Sequence, residues 1–221
     1  MDRRNKLRAS LGAFLRTLCD LMLLNLLWAL CVLPVVTVGP ATGALCAVSL
    51  KLARGEPVAT LQTFFTAFRS GFRRAVLLGL LGLGGLAVAY VDWRFALAQT
   101  GSVRVLFLVV AVVISAAALA YWAWAFALHA GFENSLKGTI KNAFSLAFVE
   151  PGKTLLIWLA IAAPVLIALL LPEVVIYIGW AYVLFAVAAP AYIAARQQVK
   201  VFARFGGPAA RIEQEEDNVY Q

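Results

Sequence analysis

Residues 25–44 read NLLWALCVLPVVTVGPATGA. The stretch opens inside a membrane-helix pattern that starts near Leu18 and stays apolar to Val36. Pro34 removes a backbone donor and predicts a kink or an end to that helix. Thr37 can bond a carbonyl that the proline frees, and Gly39-Pro40 permits a tight reversal. From Pro40 to Leu52 the chain is apolar again, about 20 Å long if helical. That is short for a crossing, so a short second span and a re-entrant helix both fit. Asn25 lies deep in the first span, where a side-chain amide more often joins helices than binds a ligand.

Charge decides between the two forms of the second segment. The loop after it holds Lys51, Arg54, Arg69, Arg73 and Arg74 against Glu56. Basic loops stay cytoplasmic, so the chain has to return, and residues 18–52 read as a hairpin of two spans. The count extends to the whole chain. Of 19 Lys and Arg, five precede span 1, five separate spans 2 and 3, three separate spans 4 and 5, and four follow span 6. Only Arg94 and Arg104 fall on the far side. Six crossings with both termini cytoplasmic satisfy the rule.

Hydrophobic residues make up 63% of the 221 and charged residues 14%, with mean hydropathy +0.87. A soluble domain carries roughly 25% charge. The class is therefore all-α polytopic membrane protein, with about six transmembrane helices and two cytoplasmic amphipathic helices. Residues 1–17 read as a basic amphipathic N-terminal helix, 18–195 as the transmembrane domain, and 196–221 as a cytoplasmic tail. The tail ends EQEEDNVYQ, a composition that reads as disordered. The net charge of +8 does not indicate nucleic acid, because the basic residues sit beside apolar spans. The partner indicated is the lipid bilayer. Cys19, Cys31 and Cys46 lack metal-ligand spacing, and no cofactor is indicated. The first apolar run has span length and no small-x-small cleavage site, which predicts an uncleaved first span.

The remaining segments follow. Leu61, Phe64, Phe65, Phe68 and Phe72 form a helical stripe ahead of Arg73-Arg74, as in an interfacial helix. Span 3, about Ala75–Val91, carries a small face at Ala75, Gly79 and Gly82, which reads as intramolecular packing ahead of a dimer seam. Span 4 covers about Val103–Leu128, and His129 falls at its end. A proton switch and an interfacial ring are its two readings; no carboxylate within the span pairs with it, which favours the ring. Glu133–Phe148 is the second amphipathic helix, presenting Lys137, Lys141 and Asn142 as candidate partner-docking residues. Span 5 covers about Thr154–Leu171, and span 6 about Val174–Ala195 with Pro190 bending its inner third.

The hairpin residues Asn25-Leu26-Leu27-Trp28, Cys31 and Leu33 to Thr42 resemble the YesL-like family of bacterial integral membrane proteins, a domain family of unknown function. Lys51 to Glu56, Phe64-Phe65-x-x-Phe68, Phe132 to Ser135 and Lys141-Asn142-Ala143 follow in the family's order. The candidate family-motif positions are Asn25, Trp28, Pro34, Thr37, Gly39, Pro40 and Thr42. The resemblance implies a bacterial plasma-membrane protein that accompanies carbohydrate uptake systems of the ATP-driven (ABC) type, with permease or ATPase subunits as partners. The family supplies no catalytic residues, and the acidic tail after Gly207 departs from its pattern.

Three functions compete. A non-catalytic accessory or regulatory component of carbohydrate transport needs docking helices and no polar pathway. A stand-alone transporter or channel for a small neutral solute needs polar groups along a route. The candidates for such a route are Asn25, Thr37, Thr42, Ser49 and Ser115, with aromatics such as Trp122 or Trp158, and none is charged. A membrane enzyme needs a reacting constellation, and the chain has no HExxH, no GxSxG and no paired carboxylates at membrane depth. It has no GxxxxGK[ST] loop either, so any ATPase is a separate chain. The accessory, non-enzymatic reading is preferred.

Overall fold

The computed structural model describes residues 3–132 and 135–205. Glu133, Asn134 and the acidic end of the tail lie outside the described residues. Within them the chain is helical: α1 (Arg3–Cys31), a 3-10 turn (Val35–Thr37), α2 (Val38–Ala53), α3 (Thr60–Arg69), α4 (Phe72–Ala98), α5 (Gly101–Gly131), α6 (Leu136–Val149), α7 (Pro151–Leu170), α8 (Pro172–Phe185) and α9 (Ala188–Arg204). Among the described residues five segments are long and apolar enough to cross a membrane, namely Leu11–Cys31, Val35–Ala53, Phe72–Ala98, Gly101–Gly131 and Pro151–Leu170. The chain is a polytopic all-α membrane protein.

Several boundaries differ from the sequence expectation. The entry helix and the first span are one helix, because no proline or reversal signal interrupts residues 3–31. Leu11, Phe14 and Leu15 are exposed along it. The span ends at Cys31 instead of Val36. Pro34 accounts for this, since its ring disfavours the helical conformation of Leu33 and meets the carbonyl four residues back. Gly39 and Pro40 do not make the reversal; they lie in the first turn of α2. The missing amide of Pro40 falls among the N–H groups that have no helical partner there.

The sixth crossing expected over 174–195 is not one helix. It is split into α8 and α9 by two turn residues, Ala186 and Val187. Pro190 does not bend a continuous helix; it sits third in α9, where a proline is tolerated. The break falls on the N-terminal side of the proline, where ring and backbone conflict. Nor does the packed bundle end at residue 195. α9 continues to Arg204, with Gln198, Val201 and Phe202 buried. Arg204 and Lys153 both bond the Glu150 carboxylate, at 3.1 and 3.3 Å, tying the end of α9 to the α6–α7 junction.

α2 is the hub. It touches α1, α3, α4, α5 and α9, and Ala41, Ala44 and Val48 on it are fully buried. One apolar cluster joins Leu21 and Leu24 of α1, Leu45 and Val48 of α2, Phe64 of α3 and Ala188 of α9. The other surrounds Trp124 and Phe126 of α5, with Leu50, Ile157 and Phe202. Outside these clusters the large apolar side chains point outward, among them Val105, Leu106 and Val113 of α5 and Leu155 and Leu169 of α7. In water such a surface would drive association. In hydrocarbon it is the exterior that helices present to lipid.

Candidate functional site

Of the candidate family-motif positions, Trp28, Pro34, Thr37, Gly39, Pro40 and Thr42 lie around the α1–α2 hairpin, and Asn25 faces the α8–α9 break. Thr37 Oγ1 donates to the Pro34 carbonyl at 2.7 Å, closing the 3-10 turn. Trp28 Nε1 donates to Thr42 Oγ1 at 3.4 Å, a long bond that pins α1 to the second turn of α2. Gly39 lies against α4 so closely that a side-chain carbon there would collide with the Ala75 carbonyl. From the other side, a carbon on Gly79 would lie 2.7 Å from the Gly39 Cα. The two backbones therefore meet, which only small residues allow. A carbon on Gly82 would lie 2.8 Å from the Trp122 indole. The small face of α4 is thus the seam against α2 and α5. The neighbouring Leu78 carbonyl takes the Tyr121 hydroxyl at 2.8 Å.

Asn25 reaches across the bundle to the α8–α9 break. Its Oδ1 accepts from the amides of Val187 and Ala188, both at 2.9 Å, and its Nδ2 donates to the Val183 carbonyl at 2.7 Å. At 4% exposure the amide is shut away from solvent. A helix interrupted at membrane depth leaves backbone groups that lipid cannot satisfy. Here one side chain bonds two amides and one carbonyl at the interruption. The sequence marks Asn25 and Pro190 separately, but no local signal joins residues so far apart.

α6 begins at an N-cap serine, Ser135, whose Oγ accepts from the Gly138 amide at 3.1 Å. Thr139 and Ala143 are its buried positions, and the helix packs on α5 and α7. Lys137, Lys141 and Asn142 are exposed. Phe148, near the end of the helix, is 83% exposed.

Near this helix a cavity of about 900 Å³ lies between the α3–α4 turn and the end of α5. Arg69, Arg73, Arg74, His129 and Ser135 line it together. In the sequence these arginines read as an orientation signal and, for Arg73-Arg74, as the basic flank of an interfacial helix. Their convergence with His129 depends on α4 and α5 meeting at that end.

The site is therefore a hairpin locked into a helical bundle, with polar groups that bridge backbone at membrane depth and a basic cavity at one end. A family model described as "Protein of unknown function, DUF624" matches residues 21–93. The match runs from α1 through the hairpin and α3 into α4. Comparison with curated proteins and with solved structures finds no match.

Proposed function

We propose that this chain is a non-catalytic accessory component of a bacterial plasma-membrane carbohydrate uptake system of the ATP-driven type, with both termini cytoplasmic. The observation that carries this reading is the engagement of its membrane-depth polar groups. Four of the five that a solute path would use have internal partners: Asn25 at the α8–α9 break, Thr37 on Pro34, Thr42 under Trp28, and Ser115 with Trp93 Nε1 at 3.0 Å. Such bonds hold helices together and leave little to line a route. The exposed Lys137, Lys141 and Asn142 on α6 supply a face for permease or ATPase subunits. The link to carbohydrate uptake rests on the resemblance of the hairpin residues to the YesL-like family.

A second reading, a transporter for a small neutral solute, is favoured by Ser49 Oγ, Trp122 Nε1 and Trp158 Nε1, which are buried without hydrogen-bond partners. Buried polar atoms of that kind call for an occupant or a rearrangement. Affinity purification in mild detergent followed by mass spectrometry separates the two. Permease or ATPase subunits in the eluate are the expected result. Sugar flux by the purified protein alone in liposomes, with no such subunits recovered, would overturn the accessory reading.

A further inference from the structure

Asp92 is the acidic residue of α4 and stands near the end of that helix, which stops at Ala98. A helix of 27 residues is about 40 Å long and exceeds the hydrocarbon by about 10 Å. Centred in the membrane, α4 places Asp92 about 9 Å from its end, just inside the hydrocarbon boundary. One carboxylate oxygen, Oδ2, is buried without a hydrogen-bond partner, while the residue stays partly exposed. Among the described residues no salt bridge reaches it. Arg94 is two positions on and projects from a different face of the helix. The indole N–H of the adjacent Trp93 is taken by Ser115 Oγ at 3.0 Å. A carboxylate deprived of water and left without a partner is costly. Ionisable groups kept at such depth mark functional sites.

Asp92 lines a groove of about 570 Å³ between α4 and α5. Its other walls are Ala87, Val88, Val91, Phe95, Phe107 and Ile114, all apolar. Phe95 and Phe107 meet edge to face, with ring centroids 4.6 Å apart. Val88, Val91 and Phe95 are exposed, so the groove opens toward lipid. Lipid chains can cover the apolar walls, but they bring nothing to the carboxylate. A bare metal ion fits no better, because it needs several oxygen ligands and Asp92 is the single polar side chain in the lining. The volume is that of a small-molecule site. A protonated amine with an apolar body meets both walls and carboxylate. Its ammonium supplies charge and N–H donors to the acid, and aromatic faces attract a cation. We propose that this groove binds a lipophilic organic cation, an amine drawn from the membrane, with its ammonium on Asp92 and its apolar body along Val88, Val91 and Phe107. The site lies on the flank of the bundle and does not depend on the accessory reading.

The test uses the full chain in phosphatidylcholine nanodiscs and labelled phenylbutylammonium as the probe, with phenylbutanol as its uncharged counterpart. Equilibrium dialysis compares retention by these discs with retention by empty ones. Saturable retention above the empty discs is expected. Asp92→Asn keeps the shape and removes the charge, and should weaken binding about tenfold or more, the loss expected for a charge-assisted bond. Val88→Trp fills the groove from an exposed position and leaves the carboxylate in place. It should weaken binding in the same direction and keeps the test informative if Asp92→Asn fails to fold. Glu173→Gln, at the start of α8, removes the same charge away from the groove and should leave binding intact. Phenylbutanol should bind about tenfold or more weakly than the ammonium. Retention no greater than that of empty discs would overturn the proposal. So would binding unchanged in Asp92→Asn and Val88→Trp, binding lost equally in Glu173→Gln, or equal binding of the alcohol. Displacement of the probe when phosphatidylethanolamine replaces part of the phosphatidylcholine would give the groove to a lipid headgroup and overturn the assignment to a small amine.

Discussion

The side-chain oxygen of Asn25 lies 2.9 Å from the backbone amide of Ala188, across 163 positions of sequence. That bond joins α1 of the hairpin to the start of α9. It also explains how a helical break is held where water is scarce. Pro190 forces a restart, the restart exposes amides, and Asn25 takes two of them.

Replacing Asn25 by Ala therefore leaves the Val187 and Ala188 amides and the Val183 carbonyl without this partner. An orphaned buried polar group costs about 1–3 kcal/mol, and hydrogen bonds between membrane helices average less, about 0.6 kcal/mol. With three groups affected, a loss of about 2 kcal/mol is expected. Thermal unfolding in nanodiscs measures it, and hydrogen exchange should quicken at residues 186–191. Unchanged exchange there would show that the break is held by something else.

The Gly39–Gly79 contact gives a sharper test. A methyl on either residue meets the opposing backbone, which has no side chain that can swing away. Gly39→Ala and Gly79→Ala should each lower the unfolding temperature, and Gly39→Val should lower expression as well. Gly84 is the control. A carbon there meets nothing within 4 Å, and its alanine variant should be neutral or slightly stabilising. Equal behaviour of Gly39→Ala and Gly84→Ala would rule out the close crossing.

The helices were legible because composition and span length dominate in a membrane. A breaking motif was legible in Pro34–Pro40, though the residues that turn the chain were not. Gly39 and Pro40 look like a reversal in sequence, yet the helix had already stopped before Pro34 and restarted at Val38. Packing against Ala75 and Gly79 gives Gly39 its role, and packing partners leave no local trace. Pro190 misled in the same way, since a proline inside an apolar run marks a break without saying whether the chain bends or restarts. The basic cavity was invisible for a different reason. Its arginines already had a sufficient explanation in membrane orientation.

Orientation is open to direct labelling. Single cysteines at Glu56, Gln99, Gly138 and Glu216, in a chain freed of Cys19, Cys31 and Cys46, report which face each segment occupies. Glu56, Gly138 and Glu216 should label from the cytoplasm and Gln99 from outside. The Glu216 result bears on α8 and α9, which fall below the length of a single span, at 14 and 17 residues. If Glu216 labels from outside while Glu56 and Gly138 remain inside, the last two helices do not complete a sixth crossing. If Glu56 labels from outside, the α1–α2 hairpin does not return.

α6 offers the test that bears most directly on function. Its buried positions, Thr139 and Ala143, fix it to α5 and α7, and its N-cap bond from the Gly138 amide to Ser135 does not involve the lysines. Lys137 and Lys141 lie four apart on the exposed side, with Asn142 beside them. Changing both lysines to Glu inverts the charge of that face and leaves the packed face untouched. Two exposed substitutions of this kind should alter stability by no more than about 0.5 kcal/mol each. A partner that reads the basic face would instead meet like charge or lose its ion pairs, at several kcal/mol for desolvated contacts. The expected outcome is a folded, inserted protein that no longer co-purifies with transporter subunits. Recovery of those subunits at the wild-type level would leave α6 as a membrane anchor alone and move the search for the docking surface elsewhere on the protein.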